Sequence, residues 1–309
     1  VKLPPPFSNS LILTGPTASG KTALALELAG MLNAEIIAMD SMTLYRGMDI
    51  GTSKPTKEER ARVPHHLIDV LDPWESGNVA WWLGEAARVC LDIESRGKQV
   101  LFVGGTPFYL KALIHGLFDA PPADEKLRQE LEEEAAQLGG AALHARLAAV
   151  DPASAQRLHP NDVRRVIRAL EVCQLAGRPL SEMQTQGWWD SAVPTDDSPR
   201  CLALDVPRPE LYDRINRRVE SMVAAGWPDE VRRLRELLQP LSKEAAKALG
   251  YHEMADYLDG KSALSTAVET IRLRSRQFAK RQLTWLRNLP GCRFVEGKLT
   301  FDLWQRKMS

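Results

Sequence analysis

The chain has 309 residues, 44% of them hydrophobic, with 40 Lys+Arg balanced against 40 Asp+Glu. That length can bury a full α/β core and hold a modest second module. Zero formal net charge excludes a global field drawing the chain to nucleic acid, so any polyanion site must come from local clustering.

Leu11 to Thr14 reads as a buried strand, and Thr22 to Leu32 carries apolar residues at helical spacing. Between them stands Gly15-Pro16-Thr17-Ala18-Ser19-Gly20-Lys21-Thr22, a complete G-x-x-x-x-G-K-[ST] phosphate loop. Its glycines let successive N–H groups turn inward on an anion at a helix N-terminus. Lys21 adds a mobile cation, and the Thr22 hydroxyl is a candidate ligand for Mg2+. The loop alone does not say whether the anion is ATP or another diphosphate.

A second apolar strand, Glu35 to Asp40, ends in a carboxylate. A polar stretch follows to Pro64, then His65-His66, which lack further ligand residues at metal spacing and suggest packing rather than metal. Val79 to Ile93 predicts an amphipathic helix. Lys98 to Val103 predicts a strand running into Gly104-Gly105-Thr106 and a short helix. Strands alternating with helices imply a parallel, doubly wound sheet. Its ligands bind beyond the carboxyl ends of the strands, which brings the phosphate loop, Asp40 and Thr106 together. Asp40 is placed to act as a general base or to hold Mg2+ through water.

From Pro121 to about Ser198 the pattern is helical, over 124–138, 141–148 and 161–176, with a turn-rich close at 188–199. Arg200 to Asp205 then restores a strand. The expectation is a catalytic core from 1–120 and 199–309, with 121–198 as an all-helical insertion. Helices follow over 205–226, where Arg208, Arg214, Arg217 and Arg218 cluster, and over 228–237, 242–248 and 263–286, before a β-like tail at 292–301. In the stretch 271–287, Ile271, Phe278 and Trp285 recur at seven-residue steps and predict the buried seam. Arg272, Arg276, Lys280 and Arg287 then share the opposite face. A one-sign face in a neutral chain suggests a phosphate-backbone partner. The four cysteines, Cys90, Cys173, Cys201 and Cys292, form no C-x-x-C pair. They suggest reduced thiols of a cytoplasmic protein, and neither a signal peptide nor a membrane-length apolar run is visible.

GPTASGKT at 15–22, DSMTLYRGMDIGTSKP at 40–55, PHHLID at 64–69 and VGGTPFYLKAL at 103–113 together resemble the bacterial tRNA dimethylallyltransferase family. HPNDVRRVIRALEV at 159–172, ALGYHE at 248–253 and RSRQFAKRQLTWLR at 274–287 complete the similarity. The resemblance implies a P-loop NTPase-like core whose loop holds dimethylallyl diphosphate. The prenyl group is then transferred to the exocyclic amine of the adenine 3′ of the tRNA anticodon, with Mg2+ as cofactor. It gives Asp40 the part of base and places Thr106 near the reacting groups. Arg217 is the candidate for a second diphosphate clamp beside Lys21. Contacts to the anticodon stem-loop would come from Asp40, Ser41, Met42 and Thr43, Thr106 and Arg128, and Arg164, Arg165 and Arg168. Lys247, Gly250, Lys280, Arg281, Gln282, Trp285 and Arg287 complete that set. Thr43 stands where many relatives carry glutamine, and Pro107-Phe108 replaces a commoner Gly-Leu. Nothing demands more than a monomer. The rival readings are a P-loop small-molecule kinase, an adenylate prenyltransferase, and an RNA-binding protein with a decayed loop.

Overall fold

The computed structural model of the protein describes residues 3–184, 200–296 and 304. The chain divides into two compact units, 1–116 with 192–309, and 117–191.

The first unit opens with β1 (Leu11–Thr14), α1 (Lys21–Met31), β2 (Ala34–Ala38), α2 (Lys57–Arg62), β3 (His65–His66), α3 (Val79–Ser95), β4 (Gln99–Val103) and α4 (Pro107–His115). The second unit carries α5 (Glu125–Leu138), α6 (Gly140–Val150), α7 (Pro152–Arg157), α8 (Val163–Ala176) and α9 (Leu180–Met183). The chain re-enters the first unit with β5 (Cys201–Leu204), α10 (Arg208–Ala224) and α11 (Trp227–Arg235). A 3-10 turn at Ala245–Lys247 leads to α12 (Tyr251–Leu258), α13 (Leu264–Arg287) and β6 (Cys292–Val295).

The six strands make one sheet in the order β3-β2-β4-β1-β5-β6, and every pairing is parallel. β1 and β5 are buried along their whole length, as central strands covered on both faces must be. One face packs Ile12, Ile37, Phe102 and Cys201 against Trp82, Trp227 and Ile271. The other packs Leu11, Leu13, Leu101 and Leu202 against Ala25, Leu28 and Ala29 of α1.

β1 lies between β4 and β5, so the chain reverses its direction of growth across the sheet at this strand, and the crevice there is where such folds place ligands. The strand ends are stapled together. Thr14 Oγ1 donates to Gly104 O at 2.8 Å, Gly104 N to Leu13 O at 3.2 Å, and Met39 N to Val103 O at 2.8 Å. A Cβ on Gly104 would meet Met39 O at 2.0 Å, so glycine is what lets the β2 and β4 ends approach.

Several sequence expectations shift. β2 ends at Ala38, leaving Asp40 in the following turn. The helix expected over 242–248 contracts to the 3-10 turn, and α2, α7, α9 and α12 were not foreseen. The turn-rich stretch 188–199 lies outside the described residues, as does the tail beyond Glu296 except Trp304. On α13 the buried seam is Ala267, Ile271, Ser275, Ala279, Gln282, Leu283 and Leu286. Phe278 is half-buried and Trp285 is exposed, so the heptad seam through them is corrected.

Within the second unit, Leu131, Leu143, Leu147, Val166, Ile167 and Leu170 form a separate core. Its polar centre is Glu171, fully buried on α8. Glu171 accepts from Asp124 N at 2.9 Å, Arg128 Nη2 at 2.9 Å and Arg168 Nη1 at 2.8 Å. Burial works to raise this carboxyl, but bonds from Arg168 and Arg128 outweigh it and hold it below the ordinary range.

Candidate active site

The loop after β1 is shaped by backbone no ordinary side chain prefers. Gly15 and Gly20 have φ of 147° and 92°, and Ala18 sits at 62°, a left-handed value that costs a residue with a Cβ and marks constraint. Lys21 folds back so that Nζ donates to Pro16 O at 2.8 Å. Ser19 Oγ is buried with no hydrogen-bond partner, which leaves an oxygen ligand unclaimed inside the loop.

Helix α10 brings arginines to this loop. Leu211, Ile215 and Val219 are its buried seam. Arg218 flanks that seam, whereas Arg217 lies about 200° from Ile215 round the helix at 100° per residue and is exposed. Arg214 Nη1 donates to Ser19 O at 3.2 Å, and its Nη2 donates to Glu210 Oε1 at 2.6 Å. A cavity of about 520 Å³ lies between loop and helix, walled by Ala18, Lys21, Thr22, Arg214, Arg217 and Arg218 among others. It is an open cleft, and its cationic lining suits a phosphate-bearing ligand.

Asp40 and Thr106 are not among the cavity walls; they stand at the neighbouring strand ends. Asp40 Oδ1 accepts Met42 N–H at 2.9 Å, and Thr43 Oγ1 donates to Asp40 O at 3.3 Å. Thr106 Oγ1 accepts Ser41 N–H at 3.2 Å, which ties the Asp40 turn to the end of β4. The charges are coupled. Burial, and next the charge of Arg218, bring Lys21 down to about 8 against the pull of Asp40. Burial also depresses Arg218, and Asp40 opposes that shift. A carboxylate within electrostatic reach of two half-buried cations, beside an anion-shaped loop, suits loss of an anionic leaving group with removal of a proton.

The structure sorts the remaining sequence candidates. Ser41 and Met42 are half-buried and Thr43 is buried. Gln282 is buried, and a Cβ on Gly250 would meet the Trp227 ring at 2.2 Å, so that glycine serves packing. Lys247 is exposed. Arg164 and Arg165 are exposed on α8, while Arg128 and Arg168 are engaged by Glu171. The uniform basic face of α13 is corrected too. Arg272 pairs with Glu220 and Glu269, Arg274 with Glu253, and Arg276 donates to Asn216 Oδ1 at 2.7 Å. Lys280, Arg281 and Arg287 remain exposed and have no acidic partner among the described residues.

Sequence reasoning missed Glu230, which is 1% exposed. Its carboxylate accepts the N–H groups of Asp49, Ile50 and Gly51 at 2.8, 2.7 and 3.1 Å, and the Tyr251 hydroxyl at 2.8 Å. It thereby fixes the loop that follows the Asp40 turn. Lys54, also buried, closes the same loop through Asp49 and Asp69, each at 2.6 Å. Neither histidine of the pair at 65 and 66 joins a metal cluster. His65 Nδ1 lies 2.7 Å from Val63 O and His66 Nε2 2.7 Å from Glu35, and no group of three or more His, Cys, Asp or Glu suited to a metal occurs among the described residues. No described helix is long and apolar enough to cross a membrane.

Comparison with known proteins agrees with this geometry. The IPP transferase family model matches residues 43–289, and an isopentenyl transferase model matches 9–70. A tRNA dimethylallyltransferase of Geobacter sulfurreducens is 48% identical over 294 residues, 94% of this chain and 93% of its own. One from Chromobacterium violaceum is 49% identical, covering 91% and 86%. Among solved structures, the tRNA isopentenylpyrophosphate transferase of Bacillus halodurans aligns with a TM-score of 0.66 at 42% identity, over 97% of this chain and 94% of its own. A eukaryotic dimethylallyltransferase acting on tRNA aligns at 0.76 and 27%, over 97% and 77%. With the family model covering most of its length, this chain belongs to the IPP transferase family.

Proposed function

We propose that this protein transfers a dimethylallyl group from dimethylallyl diphosphate to the exocyclic amine of the adenine 3′ of a tRNA anticodon. The observation that carries it is the convergence of Asp40, Lys21 and Arg218 beside a phosphate loop, in a chain whose relatives are named for this reaction. On this reading the first unit is a P-loop-type core. The helical unit, 117–191 by compactness and 121–198 by sequence, is an insertion carrying RNA contacts.

The diphosphate lies in the loop of residues 15–22, with amides, Lys21 and an arginine of α10 spreading its charge. Arg218 faces Lys21 and Asp40 and takes the part of clamp, with the more exposed Arg217 at the cavity wall. The amine nitrogen attacks the allylic carbon, the carbon–oxygen bond to the diphosphate breaks, and Asp40 takes the amine proton. Thr106 holds the Asp40 turn through Ser41 and stands near the reacting groups. The adenine must leave its stack to reach the strand ends, as base-modifying enzymes require.

A divalent ion fits the site: the unclaimed Ser19 hydroxyl and the Thr22 hydroxyl are hard oxygen donors suited to Mg2+. When bound it would neutralise diphosphate oxygens. RNA contacts are assigned to the exposed Arg164 and Arg165, Lys247, and Lys280, Arg281, Trp285 and Arg287.

Incubation with tRNA, Mg2+ and dimethylallyl diphosphate, followed by nucleoside mass analysis, should reveal a prenylated adenosine. Transfer of the ATP γ-phosphate to a small acceptor, with no prenylated nucleoside, would establish the kinase reading instead.

A further inference from the structure

Helix α13 delivers one polar side chain into the heart of the site. Gln282 is 3% exposed and lies on the buried seam between Ala279 and Leu286. Its Oε1 accepts Thr17 N–H at 2.9 Å, and its Nε2 donates to Gly105 O at 2.6 Å. One planar amide therefore joins the loop after β1 to the glycine pair after β4.

The fit depends on Gly105. A Cβ there would stand 2.7 Å from Gln282 Nε2, 3.0 Å from Gly15 O and 3.5 Å from Lys21 Nζ. Gln282 thus acts where the loop backbone, the Lys21 ammonium and the approach to Thr106 meet. The Thr17 amide is engaged by Gln282 and so is not free to bind an anion in the loop. A buried amide with both ends satisfied is tolerated, whereas either end left open carries a desolvation penalty. The arrangement strongly prefers one side chain.

We infer that Gln282 is a positioning residue for the transfer. It fixes the register of the phosphate loop against the turn bearing Thr106, and so sets where the departing diphosphate lies relative to Asp40. Small errors of placement cost rate steeply in reactions that rely on aligned partners. This inference rests on the proposed function and assigns Gln282 to the diphosphate side of the site rather than to RNA contact.

The test uses the full chain carrying Gln282→Met, which keeps the approximate shape and loses both bonds, and Gln282→Glu, which keeps the acceptor for Thr17 N–H. Three quantities are read: the Kd for inorganic pyrophosphate with Mg2+, the single-turnover prenyl-transfer rate at saturating substrates, and the Kd for tRNA. Gln282→Met should slow the single turnover about tenfold or more and weaken pyrophosphate several-fold, with the tRNA Kd within twofold of wild type. Gln282→Glu should recover part of the rate but not the pyrophosphate affinity, because it adds a negative charge beside the anion. A merely structural role would lower the melting temperature and leave the saturated rate of the folded enzyme unchanged. That result overturns the inference, as does a weakened tRNA Kd with pyrophosphate binding and rate intact. If Gln282→Met fails to fold, Gln282→Glu carries the test, and a wild-type rate and pyrophosphate affinity in it are sufficient refutation. A wild-type enzyme that binds pyrophosphate but never prenylates RNA would refute the proposed function, while the pyrophosphate comparison still judges Gln282.

Discussion

Glu230→Gln isolates the buried carboxylate that holds the 49–51 loop. In the native protein Oε2 receives Asp49 and Ile50 N–H, and Oε1 receives Gly51 N–H and the Tyr251 hydroxyl. An amide has only one oxygen. The less costly placement turns its NH2 toward Gly51 and Tyr251, since the Tyr251 hydroxyl can rotate and accept. Gly51 N–H then faces a donor with no acceptor, and the surviving bonds lose their charge assistance. One stranded donor costs about 1–3 kcal/mol, and charged acceptors are worth about 1 kcal/mol more than neutral ones. Relief of the buried charge returns part of this, so we expect a net loss of about 2–4 kcal/mol. Urea unfolding followed by tryptophan fluorescence measures it directly, because Trp227 lies in the same cluster, with its ring centroid 5.8 Å from that of Tyr251. Prenyl transfer should slow as well, since this loop continues from the Asp40 turn. A variant within about 0.5 kcal/mol of wild type would show that the four bonds do not hold the loop.

Asp40→Ala should slow single turnover by about 10²–10⁴-fold with pyrophosphate binding largely retained; a rate within a few-fold of wild type would remove Asp40 as the base. Reversing Lys280 and Arg281 to glutamate should weaken all tRNA substrates about equally and flatten the salt dependence by up to about one unit per lost contact. Unchanged tRNA affinity at low salt would return α13 to an ordinary solvated surface. Hydrogen bonds from Arg96 chiefly, then from His66 and Lys98, hold Glu35 down at about 2 despite its burial. Its folded value lies below its unfolded one, so the stability it confers is present above about pH 4.5 and disappears as pH falls toward 2. Glu35→Gln should therefore cost up to about 3 kcal/mol at pH 7, at 1.36 kcal/mol per unit, less the solvent screening at half-exposed Arg96. Denaturation midpoints of wild type and variant should converge as the solution is acidified; a gap independent of pH would refute the ion cluster as its source.

That the 15–22 loop, Asp40 and Thr106 lie at neighbouring strand ends was legible because each is a local signal, a short motif following an apolar strand. Glu230 was not, and Gln282 entered only as an RNA contact implied by resemblance, because the partners that bury them lie 181 and 265 residues away and nothing in the neighbouring sequence marks a buried acid or amide. The seam of α13 failed for a different reason. Two steps of seven residues drift about 40° from a straight helix's face, enough to carry Trp285 out of the core and bring Gln282 into it. On α10 the sequence offered adjacent arginines, and only the packing of Ile215 distinguishes the inward Arg218 from the outward Arg217.

The sheet order has a consequence for synthesis on the ribosome. When Val103 has emerged, β1 can pair with β4, but its other neighbour, β5, is still unmade. At about 5–20 residues per second, the roughly one hundred intervening residues take about 5–20 s to appear. Throughout that time the apolar Leu11–Thr14 strand offers an open edge, the kind of template on which nascent chains aggregate. The helical unit is made during this wait, and its own core of Leu131, Leu143 and Val166 lets it collapse independently of the unfinished sheet. Slowing translation between residues 104 and 200 should therefore lengthen the time for which nascent chains depend on chaperones.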